Sequence, residues 1–217
     1  MSHINEIINP QDVKKKSEKI INDIGGDILD WLPTIELPEP RQLNEVINRA
    51  LILNAMYQLH MRAPKAYVAN WIEVNFLTAE LTTKELAMLS SPSELTDEEH
   101  FELYFSLEAL WAIAWATNLI DSLPFNQQVG GELAGLSPDL RLNENDSKYK
   151  SSMRLRSVGS IYEMLDLYYR LHWWIRNSSK KNRSTGDISL VVTEERRKAL
   201  EWILNRNKEW DAMDLSI

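Results

Sequence analysis

The chain has 217 residues, of which 44% are hydrophobic and 26% charged, with only 7 Gly and 8 Pro, so it carries the material for a sizeable core. The absence of cysteine excludes a disulfide scaffold, a thiolate zinc site and a Cys nucleophile, and makes the cytoplasm the expected compartment. A net charge of -8 and a pI near 5.1 argue against general nucleic-acid binding, which usually shows a basic domain.

Residues 1–10 carry Glu6 and no apolar run beyond Ile7-Ile8, so no secretory segment is expected. Residues 12–24 read as a first helix, stopped by Gly25-Gly26, and Trp31-Leu32-Pro33 with Pro38-Glu39-Pro40 marks an extended connection. In residues 41–59, Leu43, Val46, Ile47, Ala50, Leu51, Asn54 and Tyr57 step by threes and fours along one helical face. Pro64 suits the first turn of a third helix that includes Trp71 and runs to Phe76. Thr82-Thr83-Lys84-Glu85 and Thr96-Asp97-Glu98-Glu99 each set a hydroxyl three residues before a Glu, the capping box that begins a helix.

Residues 103–120 contain one charge, Glu108, and approach the length of a membrane span. Their acidic flanks (Asp97, Glu98, Glu99, Glu102 and Asp121) and the lack of a nearby Lys or Arg predict instead a helix buried on most sides in a soluble bundle. Residues 126–152 hold Gly130-Gly131, Gly135, Pro138 and Asn143-Glu144-Asn145-Asp146 without sustained periodicity, and are expected to form a long irregular connection. A helix follows over 158–177, then a polar loop over 178–187. Ile188-Ser189-Leu190-Val191-Val192 is β-prone but too short and isolated to define a sheet, and Thr193 is expected to cap a last helix through Trp210. No internal repeat, low-complexity tract or long heptad pattern is present. The fold class expected is all-α: one helical domain over residues 1–217, with long irregular connections and at most one short β element.

Charge is uneven along the chain. Residues 78–146 carry thirteen Asp or Glu against two Lys or Arg, whereas residues 147–185 carry nine Lys or Arg against two acids. Such asymmetry either steers a partner of opposite sign or is neutralised where the two segments pack together.

The densest polar constellation spans residues 163–176, where Asp166 and Arg170 stand one turn apart, acid first, with Tyr169, His172, Trp173 and Arg176 at the same three-to-four spacing. Two readings follow. His172 could act as a general base oriented by Asp166 or Glu195, with Arg170 or Arg176 clamping an anion. Alternatively Asp166 and Arg170 are an ion pair at the edge of the core and His172 caps a buried network, the reading favoured because no nucleophile or oxyanion donor accompanies the histidine.

The run Asp166-Leu167-Tyr168-Tyr169-Arg170-Leu171-His172-Trp173, then Val192-Thr193-Glu194-Glu195-Arg196-Arg197-Lys198-Ala199-Leu200-Glu201-Trp202 and Trp210-Asp211, resembles an uncharacterised bacterial family, domain of unknown function 4272. Glu108-Ala109-Leu110-Trp111, Trp115, Leu123-Pro124-Phe125 and the run from Leu81 are similar to its middle. The resemblance implies that Arg156, Asp166, Tyr169, Arg170, His172, Glu195 and Arg196 match polar family positions, and these seven are expected to form a structural polar framework. It also marks departures: Ser106 stands where Arg is common, Ser160 where Glu is common, and the chain from Ala212 loses the polar ending. It implies no known activity.

Other searches of the sequence are negative. His3, His60, His100 and His172 are scattered, and Asp23, Asp27 and Asp30 lack calcium-loop spacing, so no metal is expected. No phosphate-binding glycine loop or nucleophile elbow occurs, so no cofactor is expected. Trp111, Trp115, Trp173 and Trp202 fall in apolar periodic runs and read as core, while Trp31 and Trp210 read as exposed. Lys14-Lys15-Lys16 and the basic cluster at 180–183 read as solvated surface.

The expected function is therefore a non-enzymatic cytoplasmic protein-binding module. Its specific form would be an immunity or antitoxin protein that covers a basic toxin domain with an acidic face. The expected face comprises Glu94, Asp97, Glu98, Glu99, Glu102, Asp139, Glu144 and Asp146, and no nucleic acid or membrane is expected as partner.

Overall fold

Pro10 fits the first helical position because its missing N–H would have no partner there, and the Asn9 side chain accepts from Gln11 N to begin α1 (Pro10–Asp23). The computed structural model describes residues 8–216; His3, Glu6 and Ile7 lie outside the described residues. After α1, Gly25 takes a left-handed φ of 78°. Gly26 lies so close to Trp174 and Ile21 that a Cβ there would stand 2.9 Å from the indole, which ties the turn to the core beneath it.

Helices α2 (Leu43–His60), α3 (Lys65–Val74), α4 (Thr83–Ser90) and α5 (Asp97–Ala116) follow. Both expected capping boxes are formed: Thr82 Oγ1 accepts from Glu85 N and Thr96 Oγ1 from Glu99 N, while each Glu reaches back to the capping residue's own N–H. Pro64 stands one residue earlier than expected, at the cap of α3. The chain then forms α6 (Glu132–Leu136), α7 (Ser147–Ser152), α8 (Val158–Lys180) and α9 (Leu190–Leu204), with short 3-10 turns at Thr78–Glu80, Leu140–Leu142 and Trp210–Ala212.

Four local expectations need correction. The connection over 126–152 is not wholly irregular, since Leu133, Leu140 and Tyr149 anchor α6, a 3-10 turn and α7 in the core. The loop over 178–187 starts later, because buried Ser178 belongs to α8, which continues to Lys180. The β-prone run opens α9: Ser189 is its cap, Val192 is buried at 1% exposure, and Thr193 lies inside the helix with Oγ1 donating to Ser189 O. Burial on a helical face here outweighs the mild cost of β-branching. Finally, α9 ends at Leu204, and Trp210 is buried in a separate 3-10 turn.

The structure is all-α; among the described residues β pairing is limited to one isolated parallel bridge between Glu39 and Asn205. Helix α5 packs between α2 and α9, α9 packs on α8, and α8 on α1, while α3 and α4 extend the α2 side. The second half of α5 is enclosed all round: Ala109, Ala112, Ala114 and Ala116 let neighbours approach, and Leu110, Trp111, Ile113 and Trp115 fill the gaps. Burying each of the large side chains contributes about 1.5–3 kcal/mol, so α5 is the centre of the core. Among the described residues no helix is long and apolar enough to cross a membrane. One continuous core runs through these helices, and a smaller cluster of Ile21, Leu167, Leu171, Trp174, Ile175 and Ile188 joins α1 to α8.

Candidate functional site

The seven residues expected to share a polar framework are distributed over five places. On α8, Arg170 grips Asp166 in a two-point ion pair (2.8 and 2.9 Å), both side chains at most 2% exposed, and also donates to Pro33 O at 3.1 Å. Glu18 of α1 is 3.8 Å from the same guanidinium, an electrostatic neighbour beyond hydrogen-bond reach. The Tyr169 ring lies between the guanidinium groups of Arg170, at 5.8 Å, and Arg197, at 4.9 Å.

Arg197 leads to His172, which is fully buried. Its Nδ1 accepts from Arg197 Nη1 at 2.8 Å, a contact that assigns the proton to Nε2. Nε2 is 3.0 Å from Glu194 Oε1 but off the line a hydrogen bond needs. A histidine enclosed in this way meets a substrate only if the helices part.

Arg196 occupies a third place with partners the spacing did not reveal. It donates to Glu108 at 2.9 and 2.6 Å, to the carbonyls of Pro124 and Gln127, and to the Tyr168 hydroxyl, so all five N–H groups are used. The other Glu108 oxygen accepts from Val129 N at 2.9 Å. The lone charge of the apolar α5 run thus pins the start of the long connection to α9. Arg156 is elsewhere again, donating to Trp115 O within the last turn of α5, where helix carbonyls favour a cation, and to Ile120 O beyond its end.

Glu195, adjacent to Arg196 in sequence, joins none of these. It lines a cleft of about 260 Å³ between α2, α4, α5 and α9, with Lys198, Trp210 and Asp211. Burial raises its carboxyl to about 7; Lys198 opposes the rise, and Glu194, Glu102 and Glu108 add to it. Trp210 separates this cleft from a second one of about 290 Å³ lined by Arg41, Glu45, Arg49 and Trp202. Its indole contacts the Arg49 guanidinium at 5.1 Å and the Lys198 ammonium at 4.7 Å. Arg49 in turn pairs with Glu85 at 2.6 and 2.8 Å in a buried ion pair that joins α2 to α4.

The eight acids expected to form a binding face also divide. Glu94, Asp97 and Glu98 are exposed at the start of α5 and make no ion pair or side-chain hydrogen bond among the described residues. Glu99 is held by the Thr96 amide at 2.7 Å, and half-buried Glu102 pairs with Lys84. In the connection, Arg141 pairs with Asp139 at 2.7 Å and holds its carboxyl below the usual range, while Asp146 pairs with Lys150. Exposed Glu144 accepts from Asp139 N at 3.0 Å.

An aromatic feature beside the three unpaired acids was not read from the sequence. Phe101 and Tyr104 are 53% and 44% exposed, and they continue the α5 stripe of Asp97 at four and seven residues. Phe105 packs against both at 4.6 and 5.0 Å, and Tyr104 reaches His60, which stacks on Tyr57 and contacts His100. The signal was present as an aromatic triplet at three-to-four spacing, but it merges into the apolar run that follows.

A family described as Domain of unknown function (DUF4272) matches residues 13–213. No curated protein and no solved structure matches the chain.

Proposed function

The chain belongs to the DUF4272 family, whose description assigns no activity, and we propose from its own surface that it is a non-enzymatic protein-binding module acting in the cytoplasm. Its specific form in this proposal is an immunity or antitoxin protein that masks a basic toxin domain. The observation that carries the reading is the α5 stripe, where unpaired Asp97 and Glu98 adjoin exposed Phe101 and Tyr104. Exposed aromatics are the side chains that most often anchor protein interfaces, and a rim of one charge sign selects a partner of the other. Thirteen acids against two bases in residues 78–146 extend that preference beyond the stripe.

The test is affinity capture from the native cell, followed by binding measurements on the captured protein made with pure components. We expect a partner whose contact domain is basic, and at least tenfold weaker binding after Phe101→Ala combined with Asp97→Lys. A partner whose affinity is unchanged by that double variant would refute the α5 face as the binding site.

A further inference from the structure

We propose that the cleft beside Trp210 binds a primary ammonium or guanidinium group carried on an apolar stem, with Glu195 and Asp211 as its carboxylate partners. The site is separate from the α5 acidic stripe and does not rest on the reading given above.

The lining supplies both halves of such a group's environment. Leu53, Met56, Met88 and Leu103 give an apolar wall, and methionine adapts to alkyl chains of different shape. At about 260 Å³ the space is below the roughly 300–1,000 Å³ of sites for drug-sized ligands, so it suits a short chain or a single side chain.

The charges of the lining leave a deficit of one sign. Glu85 is committed to Arg49, Glu102 to Lys84, and the Lys198 ammonium lies over the Trp210 ring. Glu195 and Asp211 have no hydrogen bond or ion pair through their carboxylates among the described residues, although both line the cleft. Glu195 is half-buried and Asp211 is exposed at the rim, so a cation entering the cleft would pair first with a carboxylate that has lost part of its hydration. Burial, with Glu194, Glu102 and Glu108 adding to it, raises the Glu195 carboxyl to about 7, and a bound cation would draw it back down. An anionic ligand would meet these two carboxylates instead, with Lys198 as its lone unpaired cation, so the lining favours a cation.

The required chemistry has two sources, a free amine or a basic side chain of a partner protein, and the probes separate them. Protein labelled at the methionine methyl groups would be titrated with n-butylamine and agmatine, and with N-acetyl lysine and arginine N-methylamides. The anion n-butyrate is the control. We expect saturable shifts at Met56 and Met88 with the cations and none with butyrate. Glu195→Gln should weaken binding at least tenfold, and Asp211→Asn severalfold. Capped amino acids binding at least as tightly as the free amines would assign the site to a partner side chain, and the reverse order to a free amine.

The probes keep their charge below pH 8, so the affinity of the unaltered protein should also fall at least tenfold between pH 8 and 5.5 as Glu195 takes a proton. That measurement decides the matter even if the Gln variant does not fold. The groups facing Glu195 in this titration are Lys84 and Glu85 on α4, Glu102 and Glu108 on α5, Glu194 and Lys198 on α9, and Asp211. No saturable shift with any cation, equal shifts with butyrate, an unaffected Glu195→Gln variant or a pH-independent affinity would each overturn the proposal.

Discussion

Glu108 and Arg196 illustrate how much one pair can hold. Arg196 is fully buried and Glu108 is 3% exposed, and together they engage Pro124, Gln127, Val129 and Tyr168. Removing Arg196 leaves the Glu108 charge enclosed and the Pro124 and Gln127 carbonyls without this partner. Arg196→Ala should therefore lower stability by about 3–5 kcal/mol and speed hydrogen exchange at the Val129 amide, measured by urea denaturation and native-state exchange. Glu195 ties stability to pH. Its carboxyl is raised from an ordinary 4.5 to about 7, so the folded state retains a proton that the unfolded chain releases between those values. Its contribution is most favourable below pH 4.5 and is lost as pH rises through 7, by roughly 3 kcal/mol at most. Thermal melts from pH 5 to 8 should show Glu195→Gln gaining on the parent protein as pH rises. Charged residue types were legible in the sequence, but their partners were not. Glu195 and Arg196 are neighbours in the chain yet point about 100° apart on a helix, and this sends one to the cleft and the other to Glu108.

At the level of elements, what was legible is what is decided locally. The boxes at Thr82 and Thr96 are closed within four residues, so their spacing alone marks where α4 and α5 begin. The start of α9 is decided at long range: Val192 is buried against the core, and that burial makes helix of a run whose composition favours strand. The short helices in 126–152 likewise depend on anchors such as Tyr67 donating to Leu140 O and Trp71 donating to Glu144 O. The cap of α5 also offers a clean separation of stability from recognition. Thr96→Ala removes an acceptor for Glu99 N and should cost about 1 kcal/mol in a thermal or urea melt. Because Asp97, Phe101 and Tyr104 keep their places on the stripe, partner affinity should change less than twofold. A large loss of affinity with little loss of stability would show instead that the cap itself is contacted.

Across the whole molecule, the question is whether the acidic and basic segments neutralise each other. Most of the basic residues in 147–185 that the structure places in contacts are engaged elsewhere. Arg154 and Arg156 donate to backbone carbonyls, Arg170 holds Asp166, and Lys181 and Arg183 face Asp27. Lys150 does pair with Asp146, so neutralisation reaches the connection, but no ion pair among the described residues joins this segment to Glu94, Asp97 or Glu98. The acids at the start of α5 are therefore not neutralised by the 147–185 segment, and they stand next to aromatic surface of a different energetic character. Unpaired surface charge acts at a distance and is screened within about 8 Å at physiological salt, whereas aromatic burial acts only on contact. The two halves of the stripe should consequently separate in kinetics. Reversing Glu94, Asp97 and Glu98 to Lys should lower the association rate for a basic partner about tenfold or more at low salt, with the difference shrinking as salt rises. Phe101→Ala with Tyr104→Ala should instead speed dissociation at every salt concentration and leave the salt slope of association intact. Rates measured by surface plasmon resonance from 25 to 500 mM salt would reveal this division, and a charge-reversed protein that associates as fast as the parent would show that the field plays no part in recognition.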